Sequence, residues 1–290
     1  MEHLVEPQED GRRLRDVLRQ VMQVSYTAMK SAKWDGRILV NGQPRTVDRP
    51  VHAGERILFL EAAGEPAYAP RPCFRPLNVA WEDEHLLVID KPAPLASQSS
   101  ARQPDDTLEN MVFAYLGQRS GFIYRPVNRL DKGTSGLMIV AKTAHAQQLL
   151  QRMLHTTQFT RRYLAVVEGC PQPLDGTVNL PIAKEDAASI RRVISPEGKP
   201  SVTHYETLRP GQRSLVRLTL ETGRTHQIRV HMSAMGCPVA GDFLYGTELA
   251  QLPGRFALHS AEIELTHPIT GEKLHLISPL PEQLAALMEE

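Results

Sequence analysis

"NRLDKGTSGLMIVAKT", residues 128–143, sets a charged triplet against a glycine-bearing turn and then an apolar run. The run has the length and composition of a buried strand, so Asp131 falls in the loop at that strand's end, outside the core. Strand ends and their loops are where reactive groups are usually mounted. The plainer reading is that Asp131 caps the turn through the amides of Gly133 or Thr134, as aspartates before glycines mostly do, and locally that reading is favoured.

Two further segments shift the balance. "TGRTHQIRVHMSAMG", residues 222–236, spaces Ile228, Met232 and Met235 on one helical face and sets His226, Arg229 and Ser233 opposite. Arg229 is therefore expected on a polar face, either as an ordinary solvated arginine or as the partner that holds Asp131 ionised. Tyr163 alternates with its neighbours in the strand pattern of "TRRYLAVVEG". It is either a half-buried core aromatic or a stacking platform, and spacing alone favours the core.

Around these segments strand patterns outnumber helical ones: "HLLVIDKP", "SVTHYETL", "SLVRLTLET" and "EIELTHP" read as strands, "AHAQQLLQRMLH" as a helix. The expectation is an α+β domain, residues 76–290, on a mixed, largely antiparallel sheet. A proline-rich linker, 63–75, would separate it from a small N-terminal α/β module, 1–62. In that module "RRLRDVLRQVM" places Leu14, Val17, Leu18 and Val21 on one helical face, with arginines on the other. Ser25 would cap a second helix ended by Gly36, and "ILV" and "RILFL" read as strands reached through the Asn41-Gly42 and Ala53-Gly54 turns.

Composition excludes several classes. The 33 Lys and Arg balance 33 Asp and Glu in 290 residues, so nucleic-acid binding would need local basic patches. Three dispersed cysteines argue against a disulfide framework or a zinc site, and no metal is expected from the scattered histidines. No basic-then-apolar leader and no span-length apolar run occurs, so a cytoplasmic, non-membrane protein is expected. "GTSG" lacks the Gly-x-Ser-x-Gly spacing that would make Ser135 a hydrolase nucleophile, and "EGKPS" lacks the phosphate-loop glycine.

Over residues 76–281 the chain resembles the RluA/RluD-type RNA pseudouridine synthases, through "HLLVIDKPAPL", "NRLDKGTSGLMIVAKT", "RRYLAVVEG" and "TGRTHQIRVHMSAMGCPVAGDFLYG". The N-terminal module is similar to the αL RNA-binding domain of a small-subunit ribosomal protein, which would make its basic helix faces phosphate contacts. The resemblance implies that Asp131 is the catalytic carboxylate, that Arg229 pairs with it and that Tyr163 lies against the base. Arg129, Asn128, Thr134, Arg224 and His226 are implied to surround an extruded nucleotide. It also implies a monomer needing no cofactor, with ribosomal RNA preferred and transfer RNA second. Two positions depart from the family pattern: Asn128 stands where most members have histidine, and Pro94 where many have glycine. Asparagine keeps a hydrogen bond but carries no proton.

Overall fold

The computed structural model describes residues 1–24, 26–60, 70–118, 121–154 and 156–289. The chain divides into two compact units, Met1–Ala69 with Arg119–Ile123, and Pro70–Gln118 with Tyr124–Glu290. The Ser25 cap and residues 63–69 of the expected linker lie outside the described residues; residues 70–75 carry no helix or strand.

In the first unit, strand β1 (Glu2–Leu4) precedes a short helical turn α1 (Leu14–Asp16) that runs into a π-helical stretch, Val17–Val21, and helix α2 (Tyr26–Trp34) follows. β2 (Ile38–Val40), β3 (Gln43–Pro44) and β4 (Arg56–Phe59) complete a four-stranded sheet of order β1-β4-β2-β3. Asn41 (φ 50°) and Gly42 (φ 78°) are both left-handed, the backbone of a two-residue hairpin turn, and they return β2 into β3. Leu14, Val17 and Leu18 are fully buried as their spacing predicts, but Val21 is 37% exposed. The π stretch puts more residues in each turn, which rotates Val21 off the apolar face and brings Met22 onto it.

The second unit begins with β5 (Val79–Glu82) and β6 (Leu86–Lys91), then helix α3 (Leu108–Tyr115), β7 (Ser135–Ala141) and helix α4 (Ala144–Met153). β8 (Phe159–Glu168), β9 (Asp175–Asn179), the small hairpin of β10 (Ile182–Lys184) and β11 (Arg192–Ile194), β12 (Val202–Arg209) and β13 (Arg213–Leu220) follow. Helix α5 (Gln227–Ala234), β14 (Leu258–Thr266), β15 (Lys273–Ile277) and α6 (Glu282–Ala285) close the chain. Apart from the β10–β11 hairpin, the described strands of this unit form one nine-stranded sheet in the order β5-β6-β7-β14-β8-β13-β12-β9, with β15 on β14. Its β7–β14 pairing is parallel and its other pairings antiparallel, as a mixed, largely antiparallel sheet requires.

β7 is the middle of this core: all seven of its residues are buried, which is why the sequence shows an apolar run there instead of alternation. Thr143 caps α4 by accepting the Ala146 amide, and Ala146, Leu150 and Leu154 then bury against Leu137, Ile139 and Phe159 of the sheet. The strand also fixes its own entrance. Gly136 has φ +104°, and a Cβ there would stand 2.3 Å from the Ser260 carbonyl oxygen of β14, so only glycine lets the two strands meet.

Candidate active site

The loop before β7 is held from three sides. The Ser97 hydroxyl donates to the Leu130 carbonyl at 2.6 Å, the Leu95 amide donates to the Lys132 carbonyl at 2.9 Å, and the Ile139 amide donates to Asn128 Oδ1 at 2.9 Å. Within the turn the Thr134 amide donates to the main-chain carbonyl of Asp131 at 3.0 Å. The turn is therefore closed by backbone, and the Asp131 carboxylate is left for other work, which overturns the capping reading.

That carboxylate meets α5. Arg229 Nη1 donates to Asp131 Oδ2 at 3.0 Å, while Nε and Nη2 donate to the two oxygens of Asp242 at 2.6 and 2.8 Å. The guanidinium lies between the rings of Phe256, 4.1 Å from its centroid, and Tyr245, 4.9 Å away. Phe256 can approach because Gly133 has no side chain: a Cβ there would stand 2.7 Å from its Cε1. Burial opposes the Arg229 charge, but Asp242 and Asp131 overcome it and raise its pKa above the ordinary value.

The sequence-based helix over 222–236 is shorter in the structure, Gln227–Ala234, and Arg229 is not on a solvated face but 3% exposed. Asp242 causes the difference, since a buried arginine is stable only with paired counter-charge. His226 is not on the helix either: it is the left-handed residue before it, φ 58°. Gln227 fixes this entry by accepting from the Arg224 amide at 2.9 Å and donating to the Val202 carbonyl at 3.0 Å.

His226 Nε2 lies 3.9 Å from Asp131 Oδ2, and its Nδ1 lies 2.8 Å from the Tyr245 hydroxyl. The Arg192 amide donates to that hydroxyl at 2.8 Å, and burial raises the Tyr245 pKa. The phenol thus keeps its proton and can donate a hydrogen bond to Nδ1, which places the imidazole proton on Nε2, towards Asp131. Burial lowers the His226 pKa, partly offset by Asp131.

Asp131, His226 and Arg229 line a cavity of about 580 Å³. All eight residues singled out in the sequence lie in its wall: Asp131, Tyr163, Arg229, Arg129, Asn128, Thr134, Arg224 and His226. Tyr163 is 5% exposed, so it is at once a core aromatic and part of the cavity wall. Arg129 is exposed, whereas the Asn128 amide is committed to β7. A second cavity of about 430 Å³ shares Gly223, Arg224 and Thr225 with the first and adds Lys184, Arg192 and Lys199. Positive charge is thus concentrated locally in a chain of zero formal net charge.

Sequence reasoning missed four contributors. Asp242, fully buried, sits in an apolar, glycine-flanked run with no periodicity to single it out. Phe256 and Tyr245 come from a loop. Lys91, fully buried, ends β6 and donates to the carbonyls of Pro92 and Leu95 at 3.0 and 2.8 Å. Burial pulls its pKa down to about 7, with Asp131 opposing and Arg255 reinforcing that shift.

A serine–histidine pair does occur: Ser135 Oγ lies 2.9 Å from His259 Nδ1. Both residues are buried, and neither belongs to the cavity wall, so the pair offers no hydrolase nucleophile. Glu262, Glu264 and His275 also cluster, but Arg162 already donates to both carboxylates at 2.8 and 2.9 Å. Among the described residues no helix is long and apolar enough to cross a membrane.

Comparison with known proteins shows the family. Residues 85–234 match the family model described as RNA pseudouridylate synthase. The chain is 35% identical to the uncharacterized RNA pseudouridine synthase YhcT of Bacillus subtilis (strain 168), over 99% of this chain and 96% of that one. It is 35% identical to ribosomal large subunit pseudouridine synthase D of Escherichia coli (strain K12), over 96% and 90%. Among solved structures, human RNA pseudouridylate synthase domain containing 1 superposes with a TM-score of 0.57 at 27% identity, covering 74% of this chain and 86% of that one. With a carboxylate presented to a basic cavity and relatives of this kind along nearly its whole length, the chain belongs to the RNA pseudouridylate synthase family.

Proposed function

We propose that the protein converts specific uridines of large-subunit ribosomal RNA to pseudouridine, with Asp131 as the catalytic carboxylate, Arg229 as its partner and Tyr163 against the base. The observation that carries the reading is the Asp131–Arg229–Asp242 arrangement. Asp242 is fully buried and occupied by two prongs of Arg229, whereas the Asp131 side chain is 29% exposed and faces the cavity. One carboxylate anchors and the other is free to act.

The reaction moves the bond at ribose C1′ from N1 of the base to C5, and the pair of electrons released at N1 must be held meanwhile. Asp131 can attack C1′ or remove a ribose proton; either role needs a carboxylate fixed in place, which Arg229 and the backbone-closed turn supply. The base must leave its helix to reach the cavity, at roughly a few kcal/mol, offset by stacking and by phosphate contacts from Arg129, Arg224, Lys184 and Lys199.

The ribosomal target is supported by the name of the Escherichia coli relative, large subunit synthase D, and transfer RNA is the second choice. The N-terminal module, residues 1–62, is read as the αL-type RNA-binding domain. On α2, Tyr26, Lys30, Lys33 and Trp34 are exposed and fall on one side of the helix, a mixture of cations and rings suited to single-stranded RNA. A monomer working in the cytoplasm completes the proposal.

Mapping pseudouridine in total RNA from cells with and without this gene tests the target. Loss of a site in large-subunit ribosomal RNA is the expected result, and loss only in transfer RNA redirects it. With purified protein, Asp131→Asn should lower turnover by at least about 10³-fold and leave RNA affinity within twofold. Wild-type protein that binds RNA without turnover would make the fold a binding module.

A further inference from the structure

Arg161 sits on β8 two residues before Tyr163, hence on the same face of the strand, and is 5% exposed in the cavity wall. Its Nε and Nη2 meet no acceptor among the described residues. The neighbouring Arg162 points the other way, into Glu262 and Glu264, and Arg229 has every nitrogen engaged. Around Arg161 lie the Phe159 ring, 5.8 Å from the guanidinium carbon, and the backbone of Gly223, where a Cβ would stand 3.2 Å from Nη1. Glycine at 223 thus leaves room for the guanidinium and offers it no counter-charge. A buried cation without an acceptor is costly, and such groups persist where a ligand completes them.

Nε and Nη2 form the side of the guanidinium whose two N–H bonds run parallel, and it accepts a pair of adjacent acceptors, as Asp242 does for Arg229. Uridine offers no such pair on its base, because N1 carries the ribose and N3–H is a donor. When the C1′–N1 bond breaks, the electron pair stays on N1 and is shared with O2 and O4, so N1 and O2 become two adjacent acceptors resembling a carboxylate. Turning the base over about its N3–C6 axis exchanges N1 with C5 and O2 with O4. An arginine edge facing the C5 and O4 side of uridine therefore finds one acceptor before the flip and two after it.

We propose that Arg161 captures the detached, flipped uracil anion through N1 and O2. The proposal rests on the cavity being the uridine-isomerising site. Electrons balance without an oxidant or reductant. C1′ is made good by a bond to an Asp131 oxygen, or C2′ gives a proton to Asp131 and regains it as C5 bonds to C1′. C5 then takes over C1′, its proton leaves, and N1 gains one. In the product N1–H is a donor that opposes Nε–H, so the grip is released. Arg161 thus binds neither substrate nor product as well as the species between them, which is the condition for acceleration.

The test uses full-length protein and RNA carrying tritium at uridine C5, whose release reports departure of the C5 proton. Arg161→Met should lower the single-turnover rate by about 10²–10³-fold, the loss typical of removing charge stabilisation at a reacting centre. RNA affinity and its salt dependence should stay as in wild type. Arg161→Lys keeps the charge but not the parallel edge, and should fall between the two. An unchanged rate overturns the proposal. So does weaker RNA binding with a salt slope reduced by about one, which marks a phosphate contact. If the Met variant fails to fold, a Lys variant at the wild-type rate overturns it equally. Failure of the cavity reading is separate: there, Asp131→Asn turns over normally, whatever Arg161 does.

Discussion

Asp242 and Arg229 form a two-pronged ion pair whose carboxylate is wholly enclosed, with Nε 2.6 Å from Oδ2 and Nη2 2.8 Å from Oδ1. Removing one member of such a pair leaves the other charge buried. Asp242→Ala should therefore destabilise by about 3–5 kcal/mol in urea unfolding. Glu206→Gln, which breaks the solvent-exposed pair with Arg217, should cost under about 1 kcal/mol. Equal effects would mean that Asp242 is not the anchor.

Arg229→Lys separates anchoring from charge. A single ammonium cannot serve Asp242 twice and Asp131 once, so Asp131 should lose its fixed orientation. Single-turnover rates are expected to fall about 10²-fold with RNA affinity unchanged. A rate near wild type would show that charge alone suffices.

Gly136→Ala tests the strand that carries the loop. A methyl group there would collide with Ser260 backbone at 2.3 Å in a left-handed conformation, and at least about 3–5 kcal/mol of destabilisation is expected. Gly271→Ala is the control: also left-handed, φ +77°, but with nothing within 4 Å, it should cost about 1–2 kcal/mol. Calorimetric melting of both variants distinguishes collision from backbone strain.

Lys91 makes a prediction about alkali. Its folded pKa, about 7, is depressed by burial from 10.5, so between those values the unfolded chain holds a proton that the native protein lacks. Stability then rises with pH across that window, and the full penalty is felt below about pH 7. Relative to Lys91→Met, wild type should gain roughly 2–3 kcal/mol of unfolding free energy between pH 6 and pH 9. A constant difference would mean that Lys91 stays charged.

Acid works through the buried histidines. Burial lowers the pKa of His226, His231, His259 and His267 below 6.5, in each case against smaller opposing contributions. Each depressed imidazole resists protonation in the folded state, so stability falls as pH drops from about 6.5 through the folded values. His231, which bridges Thr203 Oγ1 at 2.9 Å and the Leu180 carbonyl at 3.0 Å, should show this most plainly. His231→Gln is expected to flatten the pH dependence of melting, and an unaltered slope would acquit it.

Much of this was legible in the sequence, for reasons that differ by residue. β6, β7, β8, β12, β13 and β14 declare themselves because each is an apolar or alternating run. α3 does not, since its capping residues Thr107 and Asn110 stand before an apolar run that also suits a strand. β9, β10, β11 and β15 are short or exposed and owe their form to partners elsewhere in the sheet. Asp131 and Arg229 could be named, but their meeting at a separation of 98 residues could not be read from spacing. Arg161 was within reach, because counting back two from Tyr163 puts it on the same strand face. What no pattern reveals is that no carboxylate among the described residues pairs with it.

Asn128 bears on how the whole site meets a change of acidity. Its side-chain oxygen takes the Ile139 amide at 2.9 Å, and the Val127 amide reaches the Ile139 carbonyl at 2.8 Å, so the stem of the Asp131 loop hangs from β7 by amide groups alone. Amides do not titrate where imidazoles and a buried lysine do. Acidification can recharge the surroundings of Asp131, through His226 and Lys91, without loosening the bracket on which it is mounted.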